Sequence, residues 1–193
     1  MSPRIGLTAD MIVQVAIDIA NKEGTHAVTI ASVAKQLNVR PPSLYNHISG
    51  LTELHRSMTL KGLIQLHDTL VNATKDHQRE AAITALTKGY MSFARKHKGL
   101  YEATLDAPKE KDLEITQASE KIVALVLQTL AYLELNEENA LHAVRGLRSI
   151  LHGFASLEQH GGFGIPLDID ESINYTIQTL LRGLKINNCE EDE

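Results

Sequence analysis

The sequence predicts an all-α protein. Apolar residues recur at helical spacing almost throughout, runs with strand-like alternation are nearly absent, and residues suited to turns (Gly24, Asn38, Ser49-Gly50, Gly161-Gly162) separate the periodic segments. The expected layout is a three-helix N-terminal domain over residues 1–50 and a larger helical bundle over 51–186. An acidic tail over 187–193 is expected to be disordered.

The first helix opens at Thr8, whose hydroxyl can accept from a free first-turn N–H. Asp10 complements the positive helix end, and Gly24 closes the helix. Ile12, Val15, Ala16, Ile19 and Ala20 share one face. A second, short helix starts at Thr29 and carries Ile30, Val33, Ala34 and Leu37 inward. Asn38 tolerates the left-handed backbone that a tight interhelical turn needs, and Val39 plugs that turn from inside. The third member spans Arg40 to Ile48. Its prolines fit a first helical turn, Leu44 and Ile48 face inward, and Arg40, Ser43, Asn46 and His47 are left pointing out.

Beyond Ser49-Gly50, longer amphipathic helices are expected from about Thr52 to Asn72, His77 to Lys98 (with Gly99 as its stop), and Leu113 to Leu133. A loop around Pro108 precedes the last of these, and its run Ile122-Val123-Ala124-Leu125-Val126-Leu127 is apolar all round, so most of it should be buried. The final helices run from about Glu137 to His160 and from about Asp170 to Lys185. The former carries one stripe of Leu141, Val144, Leu147, Leu151 and Phe154, widened by Ala140, Ala143, Ile150 and Leu157. So broad an apolar surface needs two partners: its own bundle, and the same helices of a second copy in a homodimer. Gly146, Gly153 and Gly183 would permit close helix approach.

Composition narrows the function. The net charge is −5, but up to Lys61 six basic residues (Arg4, Lys22, Lys35, Arg40, Arg56, Lys61) face four acidic ones (Asp10, Asp18, Glu23, Glu53), a pattern suited to touching phosphates with one end only. Cys189 is the only cysteine, which excludes an intrachain disulfide and a Cys-rich zinc module. There is no phosphate-cradling glycine loop or nucleophile constellation, so an enzyme is not expected. No stretch approaches the length needed to span a bilayer, and Met1 to Leu7 reads as neither signal nor transit peptide, so a cytoplasmic location without membrane contact is expected. His142, His152 and His160 do not share a helix face, and neither a metal site nor a cofactor is expected.

Three short helices with a tight turn between the second and third satisfy the geometry of a helix-turn-helix, whose last helix enters the major groove. The run Thr29-Ile30-Ala31-Ser32-Val33-Ala34-Lys35-Gln36-Leu37-Asn38-Val39-Arg40-Pro41-Pro42-Ser43-Leu44-Tyr45-Asn46-His47-Ile48 resembles the DNA-binding signature of TetR-family regulators. The resemblance implies a transcriptional repressor that binds a double-stranded, pseudo-palindromic operator and is released by a small-molecule effector. Thr29, Tyr45 and His47 would then contact backbone phosphates. Arg40, Pro41, Ser43 and Asn46 would meet base edges, arginine suiting guanine, asparagine adenine, and a proline such as Pro41 or Pro42 only a thymine methyl or sugar edge. The family commonly has lysine where this chain has Leu51; Thr52 or Arg56 would substitute in part.

Leu151-His152-Gly153-Phe154-Ala155-Ser156-Leu157-Glu158, with Gly161-Gly162-Phe163 and Asp170-Glu171-Ser172, is similar to the C-terminal domain of the TetR-like subset that carries a His-Gly pair (WHG-type). That implies an effector-binding and dimerisation body. Tyr90, Phe93, His97, Tyr101, His152 and Phe154 are its pocket candidates, being polar or aromatic residues interleaved in apolar helices. Leu54 and Met58 of the fourth helix are the expected lever between effector and DNA. The alternative is a helical protein-binding adaptor that has lost its DNA face, a reading favoured by Leu51 and the low basic charge.

Overall fold

A computed structural model describes residues 6–105 and 112–190, with only the backbone given for 187–190. The expected loop around Pro108 and the last tail residues, 191–193, lie outside the described residues. Nine α-helices and no strand occur among the described residues: α1 Ala9–Glu23, α2 Ile30–Gln36, α3 Pro41–Leu44, α4 Leu51–Thr74, α5 Arg79–Lys96, α6 Lys98–Ala103, α7 Leu113–Leu130, α8 Glu137–Gln159 and α9 Ile169–Glu190. None of the described helices is long and apolar enough to cross a membrane. The chain divides into two compact units. One comprises Met1–Gln65 with Lys96–Ala118, the other Leu66–Arg95 with Ser119–Glu193.

The first unit is built around α1. Thr8 caps it, accepting from Met11 N–H at 3.2 Å, and Gly24 ends it at φ 90, donating to the Ala20 carbonyl at 2.9 Å. Ile12, Ala16, Ile17, Ile19 and Ala20 are buried, and Val33, Ala34, Leu44 and Ile48 of the following helices complete a small apolar core.

The helix α6 belongs to this unit and is absent from the sequence expectation, which ran one helix through to Lys98 and stopped it at Gly99. The chain instead breaks at His97 (φ −126, ψ 53), and Gly99 lies inside the next helix. The reason is packing. A Cβ on Gly99 would sit 2.1 Å from the Ala20 carbonyl carbon, so glycine here lets α6 lie directly against α1. Asn21 then accepts the Leu100 N–H at 3.1 Å, and the Thr59 hydroxyl of α4 donates to the Ala103 carbonyl at 2.9 Å.

In the second unit α5 packs on the end of α4, where a Cβ on Gly89 would meet Ala73 Cβ at 3.0 Å. Leu86, Phe93, Leu147, Leu151, Ile173 and Ile177 are buried in its core. Arg95 fastens the ends of three helices, its guanidinium donating to Glu158 of α8 at 2.9 Å and to Asp170 of α9 at 2.5 Å. The helix expected to continue to Leu133 gives way at Leu130 to a 3-10 turn over Ala131–Leu133.

One packing expectation is overturned. In the α7 run only Val126 is buried; Val123 is 36% exposed, and Ala124 is exposed as well. The buried residues of α7, Ile115, Ala118, Val126 and Leu130, lie along a single stripe by helical spacing. A Cβ on Gly146, Gly153 or Gly183 would meet nothing within 4 Å among the described residues, so no close helix approach at these glycines occurs within the described chain. Finally, α9 continues past Ile186 to Glu190, as no glycine or proline stands there to stop it.

Candidate nucleic-acid interface

The start of α2 is fixed by a reciprocal cap. Thr29 Oγ1 accepts the Ser32 N–H and Ser32 Oγ accepts the Thr29 N–H, both at 2.9 Å, while the Ser32 hydroxyl donates to the Ala27 carbonyl at 2.8 Å. This is the capping-box arrangement with serine in place of the usual Glu or Gln. Sequence reasoning singled out Thr29 and missed Ser32; a hydroxyl three residues after a threonine N-cap was the available signal. Thr29 is exposed, and both its hydroxyl and its N–H are engaged with Ser32.

The cap sets the phase of the turn that follows. Asn38 takes the left-handed backbone at φ 54, as its side chain allows, and the Val39 N–H closes the turn onto the Ala34 carbonyl at 3.0 Å. Pro41 and Pro42 then occupy the first positions of α3. The α-helix proper ends at Leu44, but the His47 and Ile48 N–H groups both donate back to the Leu44 carbonyl, at 2.9 and 3.0 Å, and so extend the turn.

This short segment has two sharply different sides. Leu44 and Ile48 are buried at 0% and 6% exposure, whereas Tyr45 is 57% exposed. Arg40, Pro41, Pro42, Asn46 and His47 are exposed too, Ser43 is half-buried, and Thr52 is exposed near the start of α4. One outward face therefore gathers a guanidinium, a carboxamide, a phenol and an imidazole, groups able to donate to phosphates and base edges.

Arg56 is a correction. It does not stand in for a lysine at position 51, because its guanidinium is bound by Asp112 and by Glu114 at 2.5 Å, with Glu53 at 3.5 Å. These carboxylates raise the guanidinium's pKa above its ordinary value, and Arg56 in turn holds the Asp112 carboxyl below the usual carboxylate range. A cation committed to two or three carboxylates adds little positive potential for a phosphate.

The pocket candidates separate. His97 and Tyr101 belong to the first unit, where Tyr101 is 2% exposed. Tyr90, Phe93, His152 and Phe154 belong to the second. There Phe93 is 1% exposed and Tyr90 7%, His152 is half-buried, and Phe154 stacks on Phe163 with ring centroids 5.6 Å apart. The same unit holds two buried hydroxyls with no hydrogen-bond partner, Thr87 Oγ1 and Tyr132 Oη; burial, with the charge of Glu80 adding to it, pushes the Tyr132 phenol up. Among the described residues no three His, Cys, Asp or Glu side chains come together as a metal site.

Comparison with known proteins agrees with this geometry. Residues 83–180 match the family of Tetracyclin repressor-like C-terminal domains. The chain is 44% identical over 191 residues to YobS of Bacillus subtilis (strain 168), described as an uncharacterized HTH-type transcriptional regulator, covering 97% of this chain and 98% of YobS. Its fold is similar to that of a protein of unknown function from Rhodococcus sp. RHA1 (TM-score 0.80, 21% identity, 96% of this chain and 100% of that one). It is also similar to the TetR family regulator PfmR from Thermus thermophilus (TM-score 0.68, 16% identity, 89% of this chain and 97% of that one). With the capped α2, the left-handed turn and the outward face of α3, these matches show that the chain belongs to the TetR family of helix-turn-helix transcriptional regulators, a family without enzymatic activity.

Proposed function

We propose that this regulator is a repressor which binds a pseudo-palindromic operator as a homodimer and is released by a small-molecule effector. The observation that carries the DNA reading is the two-sided segment from Arg40 to Ile48: an aromatic residue, Tyr45, stands 57% exposed on a piece of chain whose other side is fully buried. Tyr45 and His47, with Thr29 and Thr52, supply phosphate contacts. Arg40, Pro41, Pro42, Ser43 and Asn46 face the bases. The DNA-reading head is residues 1–50, followed by the body through 186.

The homodimer is assigned to α8 and α9. Among the described residues α8 leaves Leu141 and Leu157 47% and 50% exposed and α9 leaves Tyr175 75% exposed, apolar surface that a second copy would cover. The His152-Gly153 pair on α8 supports placing the body in the WHG-type subset. Tyr90, Phe93, His152 and Phe154 are the proposed effector contacts. An effector that binds better to the form whose two heads are out of register with successive major grooves lowers DNA affinity by the same factor.

Operator binding tests the assignment. The protein is expected to retard DNA from the region upstream of its own gene, with affinity falling steeply as salt rises. Tyr45→Ala should weaken that binding at least tenfold while light scattering still reports the wild-type oligomer. Normal binding by the variant would show that α3 does not present this face to DNA.

A further inference from the structure

Threonines in helices usually return their hydroxyl proton to the carbonyl one turn back. In this protein Thr59, Thr74, Thr84, Thr129, Thr176 and Thr179 all do so, at 2.7 to 3.1 Å. Thr87 does not. Its Oγ1 is buried without a partner, although Thr84, in the same helix, makes the ordinary bond. Thr87 is 6% exposed, and the other buried threonines, Thr59 and Thr74, are both satisfied; the second unpartnered hydroxyl, Tyr132 Oη, belongs to a half-buried residue.

By helical spacing Thr87 shares a stripe of α5 with Ile83, Tyr90 and Ala94, all buried. This is a different stripe from the one through Gly89 that packs on Ala73 of α4. A hydroxyl left unbonded inside an apolar body costs stability unless something completes it. No charged side chain is among the buried residues described. The stripe neighbours Ile83, Tyr90 and Ala94 carry no charge, so the group that completes the hydroxyl is a neutral hydrogen-bonding atom rather than a bare charge.

We infer that Thr87 is the polar anchor of the effector site, and that the effector is a mostly apolar, uncharged molecule whose oxygen or nitrogen hydrogen-bonds the Thr87 hydroxyl. This rests on the proposed effector-binding role of the body and specifies the chemistry of that site. The hydroxyl can both donate and accept, so an alcohol, ketone or amide end fits, whereas a carboxylate or ammonium does not.

Calorimetric titration of the full-length protein with n-decanol and with n-decanoate tests this, using wild type, Thr87→Ser and Thr87→Val. The alcohol should bind wild type and Thr87→Ser alike and Thr87→Val about tenfold more weakly, and decanoate should bind wild type at least tenfold more weakly than the alcohol. Without ligand, Thr87→Val should melt roughly 2–4 °C higher, since it removes an unsatisfied group and keeps the shape. Equal alcohol affinity in Thr87→Val, tighter binding of decanoate, no binding of either probe, or a lowered melting temperature would each overturn the assignment. Operator retardation measured on the same samples separates the two levels. Retained DNA binding with failed ligand binding removes only the Thr87 proposal, whereas lost DNA binding in wild type removes the regulator mechanism beneath it.

Discussion

Around α6, glycine marks where helices touch: Gly99 would place a Cβ 2.1 Å from the Ala20 backbone, and Gly62 of α4 would place one 2.7 Å from Thr104 Cγ2. Along α8 and α9 the same residue marks where no helix among the described residues comes near, for a Cβ on Gly146, Gly153 or Gly183 would meet nothing within 4 Å. The contrast teaches that a helical glycine in this chain does not by itself mark an internal crossing. The crossings at α6 are internal and closed. The α8 and α9 glycines stand among exposed apolar residues, and the partner we assign to them is a second copy.

The largest expected effect is at the closed crossing. In Gly99→Ala the added methyl meets backbone, which cannot rotate away, so α1 and α6 must part. A loss of about 3 kcal/mol in urea unfolding is expected. An unchanged midpoint would mean that α6 does not lie against α1 as described.

Leu157→Glu probes the open face next. Leu157 is 50% exposed, so the substitution should leave the fold of one chain within about 0.5 kcal/mol of wild type. Buried in a dimer, the new carboxylate would weaken association by roughly 2–3 kcal/mol, a shift from dimer to monomer visible by light scattering at micromolar protein. A dimer that survives would place the association surface elsewhere.

The same contrast explains what was legible in the sequence. The capped start of α1, the left-handed Asn38 and the inward Leu44 and Ile48 are set by neighbours within a few residues, and local patterns reveal them. The helix α6 was not legible, because Gly99 reads as a stop until Ala20, far away in sequence, is known to press on it. Arg56 was misread for the same reason, its partners Asp112 and Glu114 being long-range. The α7 run shows the opposite failure: all-round apolarity says that a surface needs cover, but not that its own chain supplies it. The outward face of α3 was legible as a face, but the identity of the bases it meets is a property of the partner.

Arg95 is where the second unit closes on itself, joining α5 to the facing ends of α8 and α9, and Arg95→Ala should cost about 1 kcal/mol once solvent screening of the half-exposed pairs is allowed for. Its hydrogen bond lowers the Asp170 carboxyl below the ordinary carboxylate value. A lowered folded-state value means that the contribution is present above the unfolded pKa of ~3.9 and is lost as pH falls below it. Wild type should therefore lose stability more steeply than Arg95→Ala below about pH 4, and the two should run parallel between about pH 6 and 8. Parallel curves throughout would show that Asp170 is not bound by Arg95 in solution.

The smallest effect bears most directly on the comparison. Gly146, Ile150, Gly153 and Leu157 form one stripe of α8, opposite in role to the buried Ala143, Leu147, Leu151 and Ala155. In an isolated chain Gly153→Ala should stabilise α8 by about 0.5–1 kcal/mol, because alanine has the better helix propensity and its methyl meets nothing. If a second copy packs on this stripe, the methyl lands in the contact and association weakens instead. Unfolding measured at low and high protein concentration separates the terms: a gain in midpoint at low concentration that shrinks or reverses at high concentration marks Gly153 as a residue of the dimer. A gain independent of concentration would mean that this glycine, unlike Gly99, lies against no partner, and the association surface would then have to be sought away from the Gly146–Leu157 stripe.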